Sequence, residues 1–171
     1  MKLTNLFPML ALVLVSLPLS AQTNAGRGPG GPGPVPGLYP PTVPATPEEI
    51  RVMKAMREEE KLARDVYRFL AERWKVAVFT RIAQAEQQHF TVMGETLARY
   101  GVTDPVVTDT AGVYAGERFT QLYAELTAKG AVSLKDALEV GVVIEKVDIA
   151  DLEASLPITA KLDLKRVFTN L

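Results

Sequence analysis

Apolar residues recur at steps of three and four along most of the chain, and these runs divide it into helices. The first run is Met53, Met56, Ala63, Tyr67, Leu70 and Trp74, one face of a helix. Thr46, Pro47 and Glu49 precede it as a capping box with proline at the first helical position, so a helix is expected over 47–73. A second stripe, Ile82, Ala85 or Glu86, His89, Met93 and Leu97, predicts a helix over 78–100 that stops at Gly101. "GVTDPVVTDTAGVYAG" follows as a connection, with turn residues at Asp104-Pro105. Phe119, Leu122, Tyr123 and Leu126 mark a shorter helix over 117–129, ended by Gly130.

Ser133 caps a further helix over 134–156, closed by Pro157. Its expected inward positions are Leu134, Ala137, Leu138, Gly141, Ile144, Glu145, Asp148, Leu152 and Leu156. A last amphipathic segment starts near Thr159 and carries Leu164, Val167, Phe168 and Leu171. The sequence stops in the middle of that pattern. Strand-period alternation of useful length is lacking. The expected class is all-α, a helical bundle around a shared apolar interior.

The first 46 residues read differently. Lys2 and the apolar run Leu6 to Leu19, broken by Pro8 and Pro18, have the form of a secretory signal, assigned to 1–21. An uncleaved N-terminal anchor is the competing reading, but the run is short and broken for a spanning helix. Residues 22–46 are dominated by Gly and Pro and are expected to be a disordered tether. A secreted or periplasmic protein follows, with no integral membrane span after cleavage.

Composition removes several classes of function. Nineteen basic and 20 acidic residues leave a net charge of -1, with no electrostatic footprint for nucleic acid. The chain has no cysteine, which excludes disulfides, thiolate ligands and a cysteine nucleophile. No glycine-rich loop sits between a strand and a helix, so dinucleotide and P-loop sites have no support. A serine triad has none either: Ser133 and Ser155, the two serines beyond the signal, both stand at helix ends.

What remains is a set of polar residues on the inward stripes: Glu60, Glu86, His89, Glu145 and Asp148. A carboxylate facing an apolar interior is costly unless it is paired or binds a metal. Glu86 and His89 lie one turn apart and can reach one ion; carboxylates can also bridge two. Each residue alone has a bland reading. Glu60 sits in the charge run "REEEK", whose Arg57, Glu58, Glu59 and Lys61 are expected on a solvated face. Glu145 and Asp148 could pair with lysine or arginine. Their coincidence on three helices favours a metal site.

"EEEKLARDVY", "FTRIAQAEQQHF" and "ALEVGVVIEKVDIADL" together resemble the successive motifs of a prokaryotic ferritin-like family, a domain of unknown function. The likeness spans roughly 46–171. More distantly, "EKLARDVY" and "IAQAEQQH" are similar to the first two helices of rubrerythrins. That likeness implies Glu60, Glu86, His89 and Glu145 as metal ligands, with Asp148 a further one and Tyr67 a donor behind them. The implied cofactor is iron or manganese in a carboxylate centre that activates dioxygen or peroxide, or oxidises and stores iron. The family continues beyond the position of Leu171 with a fourth-helix segment bearing an Asn-His pair. The resemblance therefore implies a ferritin-like helical bundle over 47–171 whose last helix is truncated and whose site is incomplete and weak. A homodimer would add ligands of the same types only. The alternative function is a metal-free secreted helical module that binds a protein through the apolar groove left open.

Overall fold

The computed structural model describes residues 43–171. The signal assigned to 1–21, and all but the last four residues of the tether assigned to 22–46, lie outside the described residues. The fold is all-α. Among the described residues five helices follow in order: α1 Pro47–Trp74, α2 Ala77–Arg99, α3 Glu117–Gly130, α4 Leu134–Ser155 and α5 Leu162–Thr169. Among the described residues no helix is long and apolar enough to cross a membrane.

Local sequence explains where the helices begin and end. Thr46 accepts from the Glu49 backbone N–H, and the Glu49 carboxylate accepts in turn from Thr46 N–H, which satisfies two orphan donors of α1. α1 ends where Lys75 turns left-handed at φ 54°. Tyr100, Gly101 and Val102 close α2 in a Schellman turn: Val102 N–H donates to Leu97, and Gly101 N–H to Ala98. Gly101 has φ 65°, which its missing Cβ permits. Ser133 accepts from Asp136 N–H at the start of α4.

α1 packs against α2, α3 and α4. Two apolar clusters lie along it. One joins Val66, Tyr67 and Leu70 of α1 to Phe79 and Ala83 of α2, Phe119 and Leu126 of α3, and Ala137, Val140 and Ile144 of α4. The other joins Val52, Met53 and Met56 of α1 to Met93 and Leu97 of α2 and Leu164 and Phe168 of α5. Met53, Met93, Leu97 and Leu164 have no exposed surface, and each such side chain contributes about 1.5–3 kcal/mol. Glu60 falls between Met56 and Ala63, and Glu86 between Ala83 and Met93. A polar layer therefore separates the two clusters.

Two expectations are corrected. The "REEEK" run is not a solvated face: Arg57, Glu58 and Lys61 are buried and Glu59 is half-buried. The connection between α2 and α3 crosses this side of α1 and supplies partners. Arg57 pairs with Asp104 at 2.9 Å, Lys61 donates to Thr110 O at 2.8 Å, and Glu58 accepts from Gly116 N–H at 2.9 Å. The second correction concerns α4. Its buried face is Ala137, Val140, Gly141 and Ile144, whereas Leu134 and Leu138, expected inward, are 39% and 48% exposed. α4 touches its neighbours over one narrow arc, and positions 100° to the side of that arc remain in solvent.

Candidate metal centre

Glu60, Glu86 and His89 converge, with one ligand atom from each lying within 4.8 Å of the others. Nδ1 of His89 stands 3.1 Å from Glu86 Oε2 and 3.5 Å from Glu60 Oε2. The i, i+3 spacing on α2 sets the first distance; the packing of α1 on α2 sets the second. Glu60 and Glu86 are buried, and His89 keeps 25% of its side chain exposed, so the triad sits just inside the surface. The second oxygen of Glu60, Oε1, is buried and has no hydrogen-bond partner.

Charge in this layer is unbalanced. Burial pushes the Glu60 carboxyl up to about 8, against the opposing hydrogen bond from His89. Hydrogen bonds to Glu60 and Glu86 push His89 up to about 10. Burial, followed by the fields of Glu86 and Glu145, pushes Asp148 up to about 7. One imidazole faces several carboxylates, so the cluster retains protons where isolated carboxylates would be ionised.

Glu145 and Asp148 reach this layer from α4 but stand outside the tight triad. Glu145 was expected to face inward. It lies instead at the exposed rim of α4, where the Tyr67 hydroxyl donates to its Oε1 at 2.6 Å. The helix turns Gly141, not Glu145, fully inward: the same hydroxyl approaches the Gly141 carbonyl at 3.2 Å. Burial holds the Glu145 carboxyl above its ordinary value, with the Tyr67 hydrogen bond opposing. Asp148 is half-buried and feels Glu60, Glu86 and Glu145 electrostatically.

Glu59 is the acidic residue that sequence reasoning set aside. Burial, then repulsion from Asp151, pushes its carboxyl up to about 9. Glu59 and Asp151 line a pocket of about 180 Å³ with Arg118, between α1 and α4. The signal lay in the sequence: Asp151 follows Asp148 by one turn on α4, as Glu59 adjoins Glu60 on α1.

The chain matches, over residues 49–171, the model of an uncharacterized protein domain, DUF2202. It is 45% identical over 131 residues to the uncharacterized protein MJ0754 of Methanocaldococcus jannaschii, covering 77% of this chain and 71% of that one. The crystal structure of hypothetical protein MJ0754 superimposes with a TM-score of 0.74, covering 76% of this chain and 74% of that chain. On sequence and fold together, the chain belongs to the DUF2202 domain family.

Proposed function

We propose that this protein is a ferritin-like metal-binding protein and that Glu60, Glu86 and His89 hold a divalent cation. The observation that carries this reading is the Glu60 carboxylate, 1% exposed, with one oxygen left without a partner beside an imidazole and a second buried carboxylate. An unsatisfied buried oxygen costs about 1–3 kcal/mol, and a cation removes that cost. The donor set of carboxylate oxygens and one imidazole nitrogen suits iron or manganese. Glu145 and Asp148 are proposed as ligands of a second ion on the α4 side.

This chain's own residues do three things in that reading. Glu60 gives up the proton it holds when a cation binds, and Glu86 adds a second buried carboxylate oxygen. Tyr67 fixes Glu145 by its hydroxyl. The apolar clusters on either side hold the geometry of the layer fixed. Bound iron or manganese would supply one-electron chemistry toward dioxygen or peroxide. The N-terminal sequence supports a secreted or periplasmic site of action, which fractionation of producing cells would test.

The test is metal content. The purified protein, loaded with ferrous iron or manganese and desalted, is expected to retain metal. Glu86→Ala and His89→Ala should each retain far less while keeping wild-type helicity by circular dichroism. Stoichiometric metal unaffected by both substitutions overturns the ligand assignment, and absence of retained metal in the parent protein overturns the function.

A further inference from the structure

α4 carries a second apolar face that nothing in the described chain covers. Leu134, Leu138, Val142 and Ile149 are 39%, 48%, 46% and 49% exposed. They follow one another at steps of four and seven, so they form a single stripe beside the buried face of the helix. Leu134, Leu138 and Val142 floor a groove bordered by Lys129, Lys135, Glu139 and Lys146. Four large apolar side chains in one row exceed the scattered exposure normal for a surface.

We propose that this face joins two copies of the chain, with their α4 helices antiparallel about a two-fold axis at Val142. Charge complementarity along α4 supports this arrangement. At about 1.5 Å per residue, Glu139 lies about 4.5 Å to one side of Val142, and Lys146 about 6 Å to the other. Antiparallel packing therefore brings Glu139 of each copy level with Lys146 of the other. The two residues are seven apart, on the same flank of the stripe, so the two-fold axis places both ion pairs on one side of the interface. Leu134 of each copy comes level with Ile149 of the other. Among the described residues Lys146 has no ion-pair partner within the chain, while Glu139 pairs with Lys129 at 3.2 Å and Lys135 at 2.5 Å. The face holds both halves of each contact, which is what an isologous interface requires. Glu145 lies within the stripe, between Leu134 and Leu138 around the helix, so the second copy also borders the α4 side of the candidate metal centre. The interface itself rests on α4 alone and stands whether or not metal binds.

The chain has no cysteine, which makes single-cysteine probes unambiguous. Val142→Cys in the full chain is expected to give a covalent dimer under mild oxidation, because the two-fold axis brings the two sulfurs together. Leu134→Cys, also exposed but about 24 Å from its symmetry mate along the axis, should not. Equal yields from the two variants, or none from Val142→Cys, overturn the proposal. Sedimentation equilibrium of the unmodified full chain should show a dimer. Glu139→Lys or Lys146→Glu alone should weaken it about tenfold, and the two together should restore it. A monomer, an open ladder of larger species, or a double variant no tighter than the single ones overturns the proposed geometry.

Discussion

His89 Nδ1 stands 3.5 Å from Glu60 Oε2 across the α1–α2 interface, while the other oxygen of Glu60 has no partner at all. The pair is half made. His89 satisfies one side of the carboxylate, and the remaining side needs a proton donor or a cation. Glu60→Gln separates these needs, because an amide keeps the size and removes the negative charge. The metal-free variant is expected to melt within about 4 °C of the parent, equivalent to about 1 kcal/mol. The rise in melting temperature that manganese gives the parent should vanish. Differential scanning fluorimetry with and without manganese reads both; a variant that still gains stability from manganese contradicts a role for Glu60 as ligand.

The acid cluster also sets the pH dependence of the metal-free protein. Glu60, Asp148 and Glu59 are raised to about 8, 7 and 9 from ordinary values of 4.5, 3.8 and 4.5, and His89 to about 10 from 6.5. A raised value means that the native state holds a proton the unfolded chain has released. The stabilisation is complete below the unfolded values and is lost as pH rises through the native ones. All four groups act in the same direction, so stability should fall steadily from about pH 5 to pH 9. Glu49 has the opposite sign. Burial favours its neutral form, but Lys161 and the Thr46 and Ala160 backbone hold it down at about 2, so its contribution is lost in acid. Urea midpoints across this range, with chelator present, should peak in mild acid. With metal bound, the decline above neutrality should flatten, since the cation takes the place of the protons.

Tyr67 and Gly141 form a second testable pair. The hydroxyl donates to Glu145, and a Cβ placed on Gly141 would lie 3.1 Å from it. Tyr67→Phe should cost about 1–2 kcal/mol through the lost buried hydrogen bond. Gly141→Ala should cost about 1–3 kcal/mol through overpacking. The hydroxyl is the atom nearest that Cβ, and the next ring atom is at 3.4 Å, an ordinary contact. The cost of Gly141→Ala should therefore shrink in the Tyr67→Phe background. Denaturant unfolding of the four proteins gives the cycle; strict additivity would mean that the close approach is not where the strain arises.

The helices were readable because each carries its own punctuation: Thr46 and Glu49, Gly101, Gly130, Ser133 and Pro157 are local signals. The convergence of Glu60, Glu86 and His89 was readable for a related reason, since they interrupt apolar stripes whose period fixes their direction. Two things were hidden. The burial of Arg57, Glu58 and Lys61 depends on a connection whose partners lie 47 to 58 residues away in sequence, and no local pattern encodes where that connection lies. The rim position of Glu145 depends on how α4 is rotated. α4 is apolar on two faces, through Ala137, Val140 and Ile144 on one side and Leu138, Val142 and Ile149 on the other. Periodicity alone could not choose between them, and the outward placement of Leu138 and Glu145 is one consequence.

The hidden ion network yields the sharpest stability contrast. Asp65 is buried and accepts from Lys61 Nζ at 2.7 Å, from Arg64 Nη2 at 2.8 Å and from the Tyr114 hydroxyl at 3.1 Å. Lys61 and Arg64 have no exposed side-chain surface. Removing their shared carboxylate leaves two cations in the interior with too few acceptors: Thr110 O for Lys61, and Gln87 with the exposed Asp109 for Arg64. Such a loss costs about 3–5 kcal/mol. Glu48 and Arg51 form an ion pair of similar length at the exposed start of α1, at 2.5 Å, with side chains 50% and 66% exposed. Solvent screening leaves that pair contributing little to stability. Asp65→Ala should therefore lower the urea midpoint severely or prevent folding, and Glu48→Ala should leave it nearly unchanged. Asp65→Asn, which keeps one acceptor oxygen, should fall between them. Equal effects of Asp65→Ala and Glu48→Ala would show that the buried network does not hold the α2–α3 connection against α1.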